Sequence, residues 1–186
     1  MKYKKLFITL FILLVAASVS FWGYKKWMTT SSARSVEEIM QLNLNGDDSI
    51  PKNLAQVNSK KIILFFGFAH CPDMCPITLQ RMFEVLKTIP RNEVQGVFVS
   101  FDTNRDTPEK LKQFTEKFEN RILAYAPRFD ELQIFSDTLG IVAKTRSQAN
   151  SYTYDHSGLI YILSHAGALL KTLPAESSTD AIRNAL

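Results

Sequence analysis

Cysteine is scarce in this chain of 186 residues: there are two, and both lie inside one ten-residue stretch. No distant cysteines exist for a stabilising bridge to join, so any structural disulfide would close a short loop and restrict the unfolded chain little. Histidine is nearly as rare, with His70, His156 and His165 the full set. Residues 1–28 contain no acid but five lysines, Lys2, Lys4, Lys5, Lys25 and Lys26. The formal charge of +4 therefore belongs to this leader, because residues 29–186 carry 17 basic and 18 acidic side chains. A near-neutral domain has no basic face with which to displace counterions from phosphates, and no nucleic-acid partner is expected. Internal repeats and low-complexity tracts are also missing. The length suits one domain plus a leader, not two ordinary domains. What the chain does have is apolar material, 46% of its residues with 13 phenylalanines, ample for a core.

One long hydrophobic run exists, from Leu6 to Trp22. It is at the short end of what crosses a bilayer as a helix. Phe21, Trp22, Tyr24 and Trp27 suit the headgroup interface, and the flanking lysines can extend to water. The rival reading is a cleaved signal peptide, for which Ala16-Ala17-Ser18-Val19-Ser20 supplies small residues near a cut. No cysteine follows the run, which speaks against a lipoprotein anchor. No arginine-rich transit peptide precedes it, which favours a bacterial over a mitochondrial membrane. The expectation is a single-pass anchor over residues 1–28 in the inner (cytoplasmic) membrane, a tether over 29–45, and a domain over 46–186 in the periplasm.

Residues 29–60 are polar, with Val36, Ile39, Met40, Leu42 and Leu44 as their only candidate core positions. From Lys61 the pattern sharpens. Ile62-Ile63-Leu64-Phe65-Phe66-Gly67-Phe68 is a continuous apolar run of the kind that forms a strand buried on both faces. Helical spacing of Leu79, Met82, Phe83 and Leu86 predicts a helix over about 76–87, and Val94 to Phe101 a second buried strand. Thr107-Pro108-Glu109 reads as a helix start: a threonine cap, a first-turn proline, and an acid near the positive end of the dipole. A short strand over 121–125, a helix over 130–144, strands near 159–163 and 169–173, and a final helix over 178–186 complete the reading. Alternating strands and helices closed by a strand pair describe an α/β sheet covered on both faces, an order that suits a thioredoxin-like fold.

The cysteines fall where the first buried strand gives way to a helix, in Gly67-Phe68-Ala69-His70-Cys71-Pro72-Asp73-Met74-Cys75-Pro76. Thiols at a helix N-terminus feel the positive end of the dipole, which stabilises the thiolate. Thiolates are both nucleophiles of disulfide exchange and ligands of soft metals. Sulfurs four residues apart can meet on one ion or join as a disulfide. The gap of three residues differs from the two of ordinary redox motifs, which counts against a plain disulfide exchanger.

This segment resembles the copper-site motif of the SCO/SenC family of copper chaperones. Ser100-Phe101-Asp102-Thr103-Asn104-Arg105-Asp106-Thr107-Pro108-Glu109 is similar to the family's block after the second strand, and Tyr154-Asp155-His156-Ser157 to its late histidine segment. Met74 stands where the family often has valine, and residues 43–60 match poorly the hairpin that usually precedes the first core strand. The resemblance, over residues 60–186, implies a thioredoxin-like domain on a membrane anchor that delivers a copper ion to the copper-site subunit of cytochrome c oxidase. It also implies Cys71, Cys75 and His156 as the copper ligands, with other copper carriers or thiol reductants as further partners. Two thiolates and an imidazole suit a cuprous ion, whereas zinc usually takes a fourth ligand.

Among the neighbours, His70 reads as a packing residue beside the site and His165 as a solvated turn residue. Asp155 is expected to orient His156 or its loop, and Asp102, Arg105 and Asp106 to supply a loop-fixing ion pair and a helix cap. The methionines do not cluster as a copper motif. A rival function is thiol–disulfide exchange by Cys71 and Cys75 on the oxidase subunit, which should not need His156. The arginine and threonine that would support a peroxidatic cysteine cannot be placed.

Overall fold

The computed structural model describes residues 35–148 and 151–186. The apolar run at 6–22 lies outside them. Among the described residues, no helix is long and apolar enough to cross a membrane.

Five strands form the main sheet, β1 (Lys61–Gly67), β2 (Val94–Ser100), β3 (Ile122–Tyr125), β6 (Leu159–Ser164) and β7 (Leu169–Pro174), in the order β3-β2-β1-β6-β7. β1 is central. It pairs in parallel with β2, which pairs in parallel with β3, while β6 and β7 add on antiparallel. Parallel neighbours require crossovers, here α2 (Met74–Leu86) and α3 (Pro108–Thr115). The central place of β1 explains its unbroken apolar run: Ile62 to Phe66 are all essentially inaccessible because both faces are covered.

Ring contacts identify the two coverings. Phe98 stacks on Phe65 across the register and on Phe114 of α3, while the close approach at Gly96 brings Leu86 of α2 to that same face. Phe66 points the other way, meeting Phe135 of α4 (Phe129–Leu139) at 5.3 Å and Tyr161 of β6 at 6.0 Å. The short C-terminal helix α5 (Thr179–Asn184) packs beside α2. The expected mixed α/β domain with helices on both faces is thus present.

Several boundaries differ from the sequence reading. Residues 36–45 belong to the domain, not to a tether. α1 (Val36–Met40) and the segment after it bury Ile39, Met40 and Leu44, and Gly46 bridges Tyr125. The helix expected over 130–144 stops at Leu139, because Gly140 adopts φ 67° and ends it in a left-handed cap. The chain then forms a hairpin absent from the sequence reading, β4 (Ala143–Gln148) against β5 (Ser151–His156). β4 is exposed along its whole length and so carries no hydrophobic signal.

Replacing Phe66 by alanine should cost about 3–5 kcal/mol, the usual loss for a buried aromatic that packs on two rings. Urea unfolding should show a lower midpoint at unchanged slope.

Candidate metal centre

The site is built at the carboxyl ends of β1 and β2. Beyond β1 the chain turns, with the Cys71 amide donating to the Phe68 carbonyl at 3.2 Å, and enters α2. The helix begins at Met74, two residues before the expected start, so Cys75 lies in its first turn. Asp73 precedes it without a side-chain capping bond. The capping acceptor is instead sulfur: the Cys75 amide donates to Cys71 Sγ at 3.5 Å. Pro76 fits here because first-turn amides have no partner within the helix.

Cys75 is fully buried under the end of β1, where only glycine leaves room. A Cβ at Gly67 would lie 2.6 Å from Cys75 Sγ and 2.9 Å from the Phe98 ring. Sequence reasoning gave Gly67 no such part, since its glycine resembles an ordinary strand end. Cys71 is half-buried, and both cysteines are free thiols.

His156 arrives from β5, where it pairs with Ala143 at the base of the hairpin. It is therefore held by strand register, not carried on the loop that the sequence suggested. One ligand atom each from Cys71, Cys75 and His156 lies within 4.8 Å of the others. His156 Nδ1 lies 3.2 Å from the Ser157 carbonyl oxygen, within reach of a hydrogen bond. Asp155 does not orient it; that carboxylate faces away and pairs with Arg146 across the hairpin. Aromatic rings hold the imidazole instead. Phe101 lies 4.8 Å and Phe68 6.2 Å from it, and Tyr154 packs on both phenylalanines.

The hairpin is fastened to the loop after β2. Tyr152 Oη donates to Asp102 at 2.7 Å, and Arg105 donates to the Tyr152 carbonyl at 2.9 Å while its guanidinium covers the Tyr152 ring at 3.7 Å. Arg105 also forms the expected ion pair with Asp102. Asp106 is not a helix cap. Thr107 caps α3, and Asp106 turns inward to accept from the Ala69 amide at 2.9 Å and from the Ser100 hydroxyl. His70 is half exposed beside Asp106, and His165 is exposed in the β6–β7 turn. Met74 lies against the Gly158 backbone and, with Ile77, forms an exposed apolar edge beside the thiols.

The two thiols are unlike. Cys71 is pulled down to about 4, chiefly because the Cys75 thiol donates to it. The His156 imidazole and the amides of Cys75 and Asp73 help, against partial burial. Cys75 is pushed upward, first by that same bond, in which it keeps the proton, and then by burial. One half-buried thiolate therefore sits beside one buried, protonated thiol, with an imidazole in reach.

The SCO1/SenC family profile matches residues 39–186 of this chain. The chain belongs to the SCO1/SenC family. A Stutzerimonas stutzeri protein named for copper binding is 30% identical over 153 residues, which cover 80% of this chain and 74% of that one. The bovine mitochondrial SCO2 homologue is 28% identical over 154 residues, 74% of this chain and 58% of that protein. Among solved structures, copper-bound ScoI of Bradyrhizobium japonicum superposes with a TM-score of 0.61 at 27% identity, covering 69% of this chain and 83% of that one. The thioredoxin-like reading of the fold agrees with this SCO1/SenC neighbour.

Alkylation of Cys71 by iodoacetamide should fall as pH drops through about 4, because acid converts its thiolate to thiol. Cys75 should stay unreactive throughout the ordinary thiol range. Mass spectrometry after a timed pulse at each pH would locate the label.

Proposed function

We propose that this protein is a copper-binding assembly factor that holds a cuprous ion through Cys71, Cys75 and His156 and passes it to the copper-site subunit of cytochrome c oxidase. The observation that carries this reading is the meeting of two sulfurs and one imidazole within 4.8 Å, beside aromatic rings, with Cys71 and His156 partly exposed. Sulfur donors favour a soft cuprous ion over hard cations. Membership of a family with copper-bound members supports the same cargo.

The chain's own residues divide the work. Cys71 already stands as a thiolate and, being half-buried, is the donor an arriving cuprous ion meets first. Cys75 must release its proton as the metal binds, which couples loading to proton release. His156 closes the third side from a strand clamped by Asp102, Arg105 and Tyr152. Three ligands leave the ion open to a partner's thiolate, so transfer can proceed by ligand exchange without first freeing copper. The exposed Met74 and Ile77 give that partner apolar surface beside the sulfurs. The apolar run at 6–22 supports a single-pass anchor in the inner membrane, with the domain in the periplasm.

A second reading has one specific observation behind it. A half-buried thiolate ahead of a buried thiol is also the arrangement of a disulfide reductant. Cys71 sulfur would attack a partner disulfide, releasing one partner thiolate. Cys75 would then displace the second, and the pair would be oxidised by two electrons.

Anaerobic cuprous titration against a competing chelator separates the two. Copper binding should be one-to-one, weakened at least about tenfold by His156→Ala and abolished by Cys71→Ser/Cys75→Ser. Weak binding indifferent to His156 would overturn the delivery reading and leave disulfide reduction.

A further inference from the structure

A second group of metal-ligating side chains adjoins the cysteine segment. His70, Asp102 and Asp106 each offer one ligand atom, and these atoms lie within 4.8 Å of one another. Both carboxylates are completely shielded from solvent, whereas the imidazole is half exposed. We infer that His70, Asp102 and Asp106 form a second metal site, separate from Cys71, Cys75 and His156, that takes a borderline divalent ion such as zinc, with solvent reaching it past the half-exposed His70 as the fourth ligand. This inference does not rest on the proposed copper delivery.

The decisive atom is Asp106 Oδ1. Its partner oxygen Oδ2 accepts from the Ala69 amide and the Ser100 hydroxyl. Among the described residues Oδ1 has no hydrogen-bond donor, in a residue only 3% exposed. A buried carboxylate oxygen without a partner is costly, and buried charges are ordinarily paired or bound to a metal. What faces Oδ1 is His70 Nδ1, at 3.6 Å. That is too long for a hydrogen bond. It is close to the separation of roughly 3.3 Å between two ligands of a tetrahedral zinc with bonds of about 2.0 Å.

Charge points the same way. Asp102 and Asp106 face a single guanidinium, that of Arg105, which is bonded to Asp102. The two carboxylates outnumber that one guanidinium. The Asp102 oxygens, though engaged by Arg105 and Tyr152, each keep a second lone pair. One nitrogen and two carboxylates make a harder set than two sulfurs and a nitrogen, so the two sites should sort metals: cuprous ion to the thiols, a borderline divalent ion to the carboxylates. The exposed edge of His70 is the way in.

The test uses the full chain carrying Cys71→Ala, Cys75→Ala and His156→Ala, which removes the first site while keeping its core apolar. Zinc is titrated against a chromophoric chelator, with circular dichroism as a check on folding. The expected result is one zinc per chain, with affinity lowered at least about tenfold by adding His70→Ala or, separately, Asp106→Asn. His70→Ala removes an exposed side chain and leaves the fold intact. Absence of zinc binding, or binding indifferent to His70→Ala, would overturn the inference and make the contact a histidine–aspartate pair only.

Discussion

Parallel pairing of β1 with β2 is the constraint on which the rest depends. Because the two strands run the same way, the segments that leave them, 68–73 and 101–107, open at one edge of the sheet. Asp106, in the second of them, ties them together, accepting from the Ala69 amide of the first and from the Ser100 hydroxyl at the end of β2. The carboxyl ends of parallel strands are where open α/β sheets commonly present their ligand sites. Here that edge receives the cysteines from β1, and the Asp102–Arg105 pair from β2.

The third component comes from outside the main sheet. β4 and β5 form a separate two-stranded unit that would be marginal alone. Its hold on the domain comes from one face of β5, where Tyr152 meets Asp102 and Arg105 and Tyr154 packs on Phe68 and Phe101. These contacts bring His156 to the sulfurs. The histidine is thereby placed by aromatic packing and a buried ion pair, both stiffer restraints than a free loop.

Electrostatics at the edge is divided over a short distance. The thiol pair shares one proton unevenly, and its surroundings are aromatic. Next to it, Asp102, Asp106 and Arg105 form a buried charged layer that links the two loops. The Asp106 charge reaches the thiols as well, contributing to the upward push on Cys75. Sulfur chemistry and carboxylate chemistry are thus neighbours but face different donors.

Much of this was legible in the linear chain. The run Ile62–Phe68 identifies a doubly covered strand because continuous hydrophobicity has no other economical use at that length. The cysteine motif reads as a strand–helix junction, and Thr107-Pro108 marks a helix start through local chemistry alone. Such features follow from the sequence because neighbours along the chain produce them. The hairpin did not follow, since β4 is polar and exposed and its pairing with β5 is satisfied only across a turn. Nor did the partner of Asp155, the inward turn of Asp106, or the need for glycine at position 67. Each depends on atoms brought together from distant segments: Asp106 meets Ala69 across 37 residues, and Tyr152 meets Asp102 across 50. The sequence by itself determined which chemistry the chain carries and where its main strands lie. Only the tertiary structure decided how His156, which the resemblance had named, comes within reach of the sulfurs, because that depends on the pairing of β5 with β4 and on its packing against Phe68 and Phe101.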